Sequence, residues 1–190
     1  MAYLTEQQLV AMHFKYLGKH VNVSDKASIY NAAHIHLDDN CRIDDFCILS
    51  AGEGGLHVGK YVHIAAYSSL IGSEQIYLAD FSGISSRVSI YSSSDDFSGA
   101  SMPHPTIPEK FRHVTSQKVF CARHTIIGAG SVVLPGVTLS QGVAIGAMSL
   151  VVPGEYLEFM IYAGIPAKRI KDRKRNVLEL EAVLLRESHA

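Results

Sequence analysis

Ten histidines are spread along a chain of 190 residues. A histidine beside a carboxylate can take a proton from an attacking hydroxyl or amine and return it to a leaving group. Four of the ten stand in settings that suit this chemistry. His63 lies in YVHIAAYSS, His104 is flanked by Pro103 and Pro105, His113 follows in the same proline-containing stretch, and His124 lies in ARHTIIG. The carboxylates to match them are Asp95 and Asp96, which close the serine run Ser92 to Ser94. His34 and His36 form an HxH pair, and alternating residues of a strand share a face, so the pair can offer two metal ligands. The sequence marks no third ligand. The pair therefore reads as two turn histidines on a surface, and no metal is expected.

The elements that hold these residues announce themselves from Ile126 to Val152, which reads IIGAGSVVLPGVTLSQGVAIGAMSLVV. Large aliphatics recur every sixth residue at Ile127, Val133, Leu139, Ile145 and Val151. Four residues after each of the first four comes Ser131, Val137, Val143 or Ser149. Six is a multiple of the strand period of two, so these side chains keep to one side. A helix of 3.6 residues per turn would smear them around its axis. The pattern is that of a β-helix built from hexapeptides. Upstream, the same spacing joins Val23, Ile29 and Ile35; Leu37, Ile43 and Leu49; Val58, Ile64 and Leu70; and Leu78, Ile84 and Ile90. The register slips by two residues after Ile35 and Leu70 and by three after Leu49, which bulges or insertions at coil corners can absorb. Gly52, Gly54 and Gly55 mark one such corner.

The chain reads as one domain over 1–190: an N-terminal helix in 1–20, a β-helix over 21–156 with a loop inserted at 92–118, and a tail and helix over 157–190. Thr5 and Gln8 have capping-box spacing for a helix from Thr5 to Leu17, with Leu9, Met12 and Tyr16 on one face. The terminal helix places Val177, Leu180 and Leu184 on one face. The segment 92–118 carries three prolines and no six-residue series, and a loop of that length in a compact repeat is usually functional.

Charged residues make up 18% of the chain and hydrophobic ones 47%. Turns rich in small polar residues and an assembly that covers surface both explain so low a charge. A net charge of −1 argues against a nucleic-acid partner. No apolar run reaches the ~18–20 residues of a membrane span. The start, MAYLTEQQ, shows no secretory signal. Three cysteines without a CxxC pair suit a reducing compartment, so a cytoplasmic location is expected. Cys41 and Cys47 fall at inward positions and read as packing residues.

The hexads, the single long loop and the closing stretch IYAGIPAKRI, Ile161 to Ile170, together resemble the hexapeptide-repeat acyltransferases. The resemblance covers nearly the whole chain and is closest to bacterial acetyltransferases that modify sugars for surface polysaccharides. It implies a left-handed parallel β-helix, all-β with short terminal helices, assembled as a homotrimer. Handedness comes from the resemblance alone, since crossovers between parallel strands are otherwise right-handed. It also implies transfer of an acetyl group from acetyl-CoA to a hydroxyl or amine of a sugar or nucleotide-sugar.

In that family the donor lies in a groove between subunits, against backbone of the C-terminal coils. The matching stretches here give Ala129, Gly130, Gly146 and Ala147, small residues that let a ligand come close. The tail gives Ala163, Gly164, Lys168 and Arg169, with the two basic residues suited to the CoA phosphates. The other reading of 168–175 is a solvated helix start.

Many sugar O-acetyltransferases of the family carry a histidine base at the start of the loop. Here that stretch is Ser92 to Gly99 and has none. His124 is the preferred replacement, with Asp95 or Asp96 orienting its ring; His63 and His104 are further candidates. A second reading needs no histidine. Amines are better nucleophiles than hydroxyls, so a carboxylate can suffice and the acceptor is then an amino sugar. Arg87, Tyr91 and Ser94 are placed to bind sugar hydroxyls or a nucleotide phosphate. Two other classes compete: a zinc hydratase of the β-helical carbonic anhydrase kind, and a non-catalytic scaffold. The tail and loop weigh against both.

Overall fold

Each inward aliphatic of the six-residue series lies in a strand of only two to four residues, and successive strands turn through three faces before the chain returns to the first. The computed structural model describes residues 2–187. The first face has seven strands, from Tyr16–Leu17 to Gly154–Tyr156; the second has eight, from Asn22–Val23 to Lys168–Asp172; the third has six, from Ser28–Tyr30 to Leu150–Val151. Neighbours on a face are parallel, except the last strand of the second face.

Register makes the core. On the first face Leu37, Val58, Leu78, Cys121, Leu139 and Tyr156 lie opposite one another in turn. On the second, Ile43, Ile64, Ile84, Ile127, Ile145 and Tyr162 do the same. Leu49, Leu70, Ile90, Val133 and Val151 form the third column. All are buried; each such aliphatic contributes ~1.5–3 kcal/mol relative to exposure. The small residue that follows is buried too, and its hydroxyl, where present, bonds backbone at the corner: Ser68 Oγ donates to Ser85 O at 2.9 Å and Ser149 Oγ to Gly146 O at 2.7 Å. Cys41, Cys47 and Cys121 are free and buried, and desolvation pushes the thiols of Cys41 and Cys121 up to about 12. They pack; they do not react.

The register slips have a partly different origin from the one expected. Ile35 and Leu37 belong to one strand and both point inward, as do Leu56 and Val58, and Ile76 and Leu78. A two-residue step on a strand is simply its own period. The remaining extra residues sit where the third face turns to the first. Ile35 pairs with Leu56, a coil of 21 residues, whereas Phe120 pairs with Thr138, a coil of 18. Gly52, Gly54 and Gly55 occupy this corner, as the sequence indicates.

The N-terminal helix α1 spans Glu6–Ala11 and carries the expected capping box between Thr5 and Gln8. It stops well short of Leu17. A helix of that length is marginal alone, and Tyr16–Leu17 instead pairs with the first-face strand Ile35–Leu37. Only Leu9 of the helix is buried. At the other end, Lys168–Asp172 is a strand, not a helix start. It folds back antiparallel on Met160–Ala163 and closes the second face. Helix α2, Val177–Glu187, then docks with Leu178, Glu181 and Leu185 toward the body. Of the three apolar residues that the sequence places on one face, Val177 is half-buried, while Leu180 and Leu184 are 66% and 40% exposed.

Gly128 has no room for a side chain, because a Cβ there runs into the backbone nitrogen of Ala147 in the next coil. Gly83 meets nothing nearer than Ile126 Cγ1 at 3.7 Å. Urea unfolding should therefore show Gly128→Ala less stable by about 1–3 kcal/mol, the range for overpacking, while Gly83→Ala stays within about 0.5 kcal/mol.

Candidate active site

One corner, where the second face turns to the third, gathers most of the candidate residues. Ser85, Ser86 and Arg87 turn this corner in one coil. In the next, Gly130 donates its N–H to Ser86 O at 3.0 Å; above that, Met148 N–H bonds Ala129 O at 2.8 Å. The tail tops the column, with Gly164 N–H on Ser149 Oγ at 3.1 Å and Leu150 N–H on Gly164 O at 3.0 Å. Ala129, Gly130, Gly146, Ala147, Ala163 and Gly164 thus line up along the helix axis over two coils and the closing turn. The small residues have a structural reason of their own: a Cβ on Gly146 would sit 2.8 Å from Ala163 Cβ. Close stacking and a narrow edge come from the same glycines. Lys168 and Arg169 lie exposed on the final strand, Arg169 paired with Asp172 at 2.8 Å.

Beside this corner the second face is notched. Its outward row runs Asn22, Arg42, His63, Gly83, Ile126, Ala144, Ile161. The missing side chain at Gly83 leaves a depression of about 320 Å³ bounded by His63, Ile126, Ser85 and Ser86. Both serine hydroxyls lack a hydrogen-bond partner among the described residues. Below the notch, the buried Asp44 carboxylate takes Arg42 Nε at 2.7 Å and His63 Nε2 at 2.9 Å. His63 is therefore held by a carboxylate and still half exposed. A larger space of about 600 Å³ lies between α1 and the first coil; it is the open end of the solenoid, remote from every candidate residue.

The loop leaves from the opposite edge of the third face. Ser93–Asp95 pairs antiparallel with Val114–Ser116, so the loop stands on a two-stranded stem. The two aspartates differ. Asp96 accepts from Ser98 N at 2.7 Å, Ser101 N at 2.8 Å and Ser101 Oγ at 2.9 Å. These bonds, the one to Ser98 foremost, hold its carboxyl well below the ordinary range. It organises the loop. The Asp95 carboxylate has no partner among the described residues. Tyr91 and Ser94 belong to this edge, whereas Arg87 is across the face, its guanidinium 5.6 Å from the Tyr67 ring. His104 bonds Thr106 Oγ1 within the loop at 2.8 Å and is exposed.

His124 is elsewhere again, where the first face turns to the second. Its ring stacks on Phe81 at 5.3 Å and is only 7% exposed. Nε2 lies 2.6 Å from Glu181 Oε2 of α2, and Arg123 pairs with the same carboxylate. Burial, then Arg123 and Arg173, pull its pKa down. The expected pairing of His124 with Asp95 or Asp96 is not made within the chain, because the two groups stand at different corners. His124 fastens a helix.

Comparison with known proteins bears on this arrangement. A dTDP-4-amino-4,6-dideoxy-D-glucose acyltransferase of Escherichia coli is 50% identical over 183 residues, covering 96% of this chain and 95% of that one. The chain belongs to the hexapeptide-repeat acyltransferases. Like them it folds as a left-handed parallel β-helix. The structure of AntD, an N-acyltransferase from Bacillus cereus, in complex with dTDP and 3-hydroxybutyryl-CoA superposes with a TM-score of 0.92 at 43% identity, over 99% of this chain and 98% of that one. WbbJ of Escherichia coli strain K12, a putative lipopolysaccharide-biosynthesis O-acetyltransferase, is 35% identical over 123 residues, 61% of this chain and 57% of that one. A scan against protein-family models finds no match. An acyltransferase of this family works on coenzyme A thioesters, which sets aside the hydratase and scaffold readings.

Sequence reading missed Asp44, Ser85, Ser86 and Gly83. The signal was present for Asp44: Arg42 and His63 are 21 residues apart, one coil, and Asp44 is two along the same strand row. If His124 only fastens α2, His124→Phe keeps the stack on Phe81 and loses the Glu181 contact. Acyl transfer should then stay within about threefold, while amides of α2 exchange faster with deuterium. A loss of ~10²-fold or more, expected on removing a general base, would restore His124 as the base.

Proposed function

We propose that the chain transfers an acetyl group from acetyl-CoA to the amine of a dTDP-linked 4-amino-4,6-dideoxy sugar. The root of the loop carries this reading: it holds a free carboxylate, Asp95, and no histidine. The name of the 50% identical relative supports it, as does the dTDP bound in the AntD structure. As the amine attacks the thioester carbonyl, a C–N bond forms and Asp95 takes a proton from nitrogen. The tetrahedral oxyanion then collapses, the C–S bond breaks, and the proton passes to the departing thiolate. Ser85 and Ser86 supply hydroxyl donors at the notch. Arg87, Tyr91 and Ser94 bind the nucleotide-sugar. Ala129, Gly130, Gly146, Ala147, Ala163 and Gly164 border the pantetheine, with Lys168 or Arg169 on a phosphate. His63, oriented by Asp44, faces the sugar.

This arrangement needs more than one copy of the chain. The notch is open, and Asp95 projects from the far edge of the same chain's third face. In a homotrimer the loop of one copy meets the notch of the next at the same height along the axis. Phe97, just beyond the stem of the loop, is 93% exposed and Met148 on the corner 69%, which suits contact surface. A cytoplasmic enzyme serving polysaccharide assembly is the setting we assign, by analogy with the relatives.

Thiol release from acetyl-CoA should be strong with dTDP-4-amino-4,6-dideoxyglucose and at least ~10²-fold weaker with the 4-hydroxyl analogue. Asp95→Asn should lower kcat by ~10²–10⁴-fold and leave KM for acetyl-CoA near its wild-type value. Equal turnover of the hydroxyl analogue, or an active Asp95→Asn, overturns the assignment. Light scattering should give three times the chain mass; a monodisperse monomer defeats the shared site.

A further inference from the structure

The first face carries a second cluster that acyl transfer does not use. Its outward row stacks Tyr16, His36, His57, Tyr77 and Phe120 in successive coils, with ring centroids 4.4, 4.2, 4.2 and 5.2 Å apart. Two members of this ladder are imidazoles, and a carboxylate joins them: one ligand atom each from His36, Asp38 and His57 lies within 4.8 Å of the others. Nε2 of His36 is shut off from water and has no hydrogen-bond partner among the described residues. Asp38 Oδ2 faces it at 3.7 Å, too far for a hydrogen bond. Asp38 Oδ1 is already fixed by the Asp39 N–H at 2.8 Å, so the carboxylate is oriented with Oδ2 toward the imidazole. Buried polar atoms are nearly always paired, and a nitrogen lone pair and an anionic oxygen aimed at one point suit a cation.

We infer that His36, Asp38 and His57 form a site for a divalent transition metal, zinc by preference, that clips two consecutive coils together. Imidazole nitrogen and carboxylate oxygen are ordinary zinc ligands at ~2.0–2.2 Å. Ligand atoms then stand roughly 3.5 Å apart, so binding draws these three in by about an ångström. The two rings are fanned by 29°, and the final torsion of an aromatic side chain is soft, so a small rotation turns stacked planes into converging lone pairs. The site lies on the first face, away from the notch and the glycine corner, so its role is structural. It also changes the partner in the sequence: His34 is exposed on the short 3₁₀ turn Ala32–His34, and the second imidazole comes from the next coil.

The test uses untagged full-length protein, stripped with EDTA and dialysed. Titration with zinc sulfate should show one equivalent bound per chain, and Tm should rise by ~5 °C at a hundredfold excess over Kd. Cobalt(II) should give visible absorption from a low-coordinate site. His57→Phe keeps the ring ladder and removes a ligand; Asp38→Asn keeps both rings. Each should weaken zinc binding at least tenfold with acyl transfer unchanged. If His57→Phe fails to fold, Asp38→Asn decides. No binding by the wild type, or equal binding by a folded variant, overturns the site.

Discussion

An aliphatic at every sixth residue can be buried only if each coil closes on itself and the next coil lies directly above it. Parallel backbone pairing sets that height at ~4.8 Å, and inward columns such as Ile43, Ile64, Ile84, Ile127 and Ile145 fix the rotation. A slip of one residue would turn a whole column outward. Register is therefore the constraint from which the rest follows. It leaves the faces flat, confines variation to corners, and makes any outward residue a rung beneath its counterpart one coil later.

A long, thin donor suits such a body. Along the corner from Ser86 through Gly130 and Gly146 to Gly164 the residues are mostly small, with the Met148 side chain lying over Gly130, and the column is as straight as the register that made it. Beside that column, on the outward row of the second face, Gly83 is a glycine that no neighbouring coil demands. Packing accounts for Gly128; it does not account for Gly83. The glycine without a packing reason marks where a ligand can sit.

Much of this was legible from spacing. The inward residues, the corner at Gly52 to Gly55, the loop at 92–118 and the glycine stretches of the last coils all follow from a period of six and its interruptions. What spacing could not show is which outward residues meet. His63 finds Asp44 and His36 finds His57 through a coil of 21 residues, a length fixed by corner insertions rather than by the hexad. Spacing likewise does not say which side of the C-terminal helix docks. Leu180 and Leu184 form an apolar stripe, but Glu181 fastens to Arg123 and His124, and that ion-paired contact sets which side docks. The strand at Lys168–Asp172 was hidden because its partner strand is itself the end of the repeat.

A solenoid makes histidine–carboxylate neighbours cheaply, since any two residues one coil apart are brought within reach. Proximity alone is then a weak sign of catalysis. His124 with Glu181 has the shorter contact, yet its ring is buried and its nitrogen engaged by a helix. His63, held by Asp44, is accessible beside a depression. Asp96 accepts from three donors within the loop, which stabilise its ionised form and make it a weak proton acceptor. Asp95 differs from all of them in standing on a stem at the root of the loop, its carboxylate without a partner among the described residues. The proposed transfer to an amine asks for a single proton acceptor, and Asp95 is the carboxylate the fold has left unengaged.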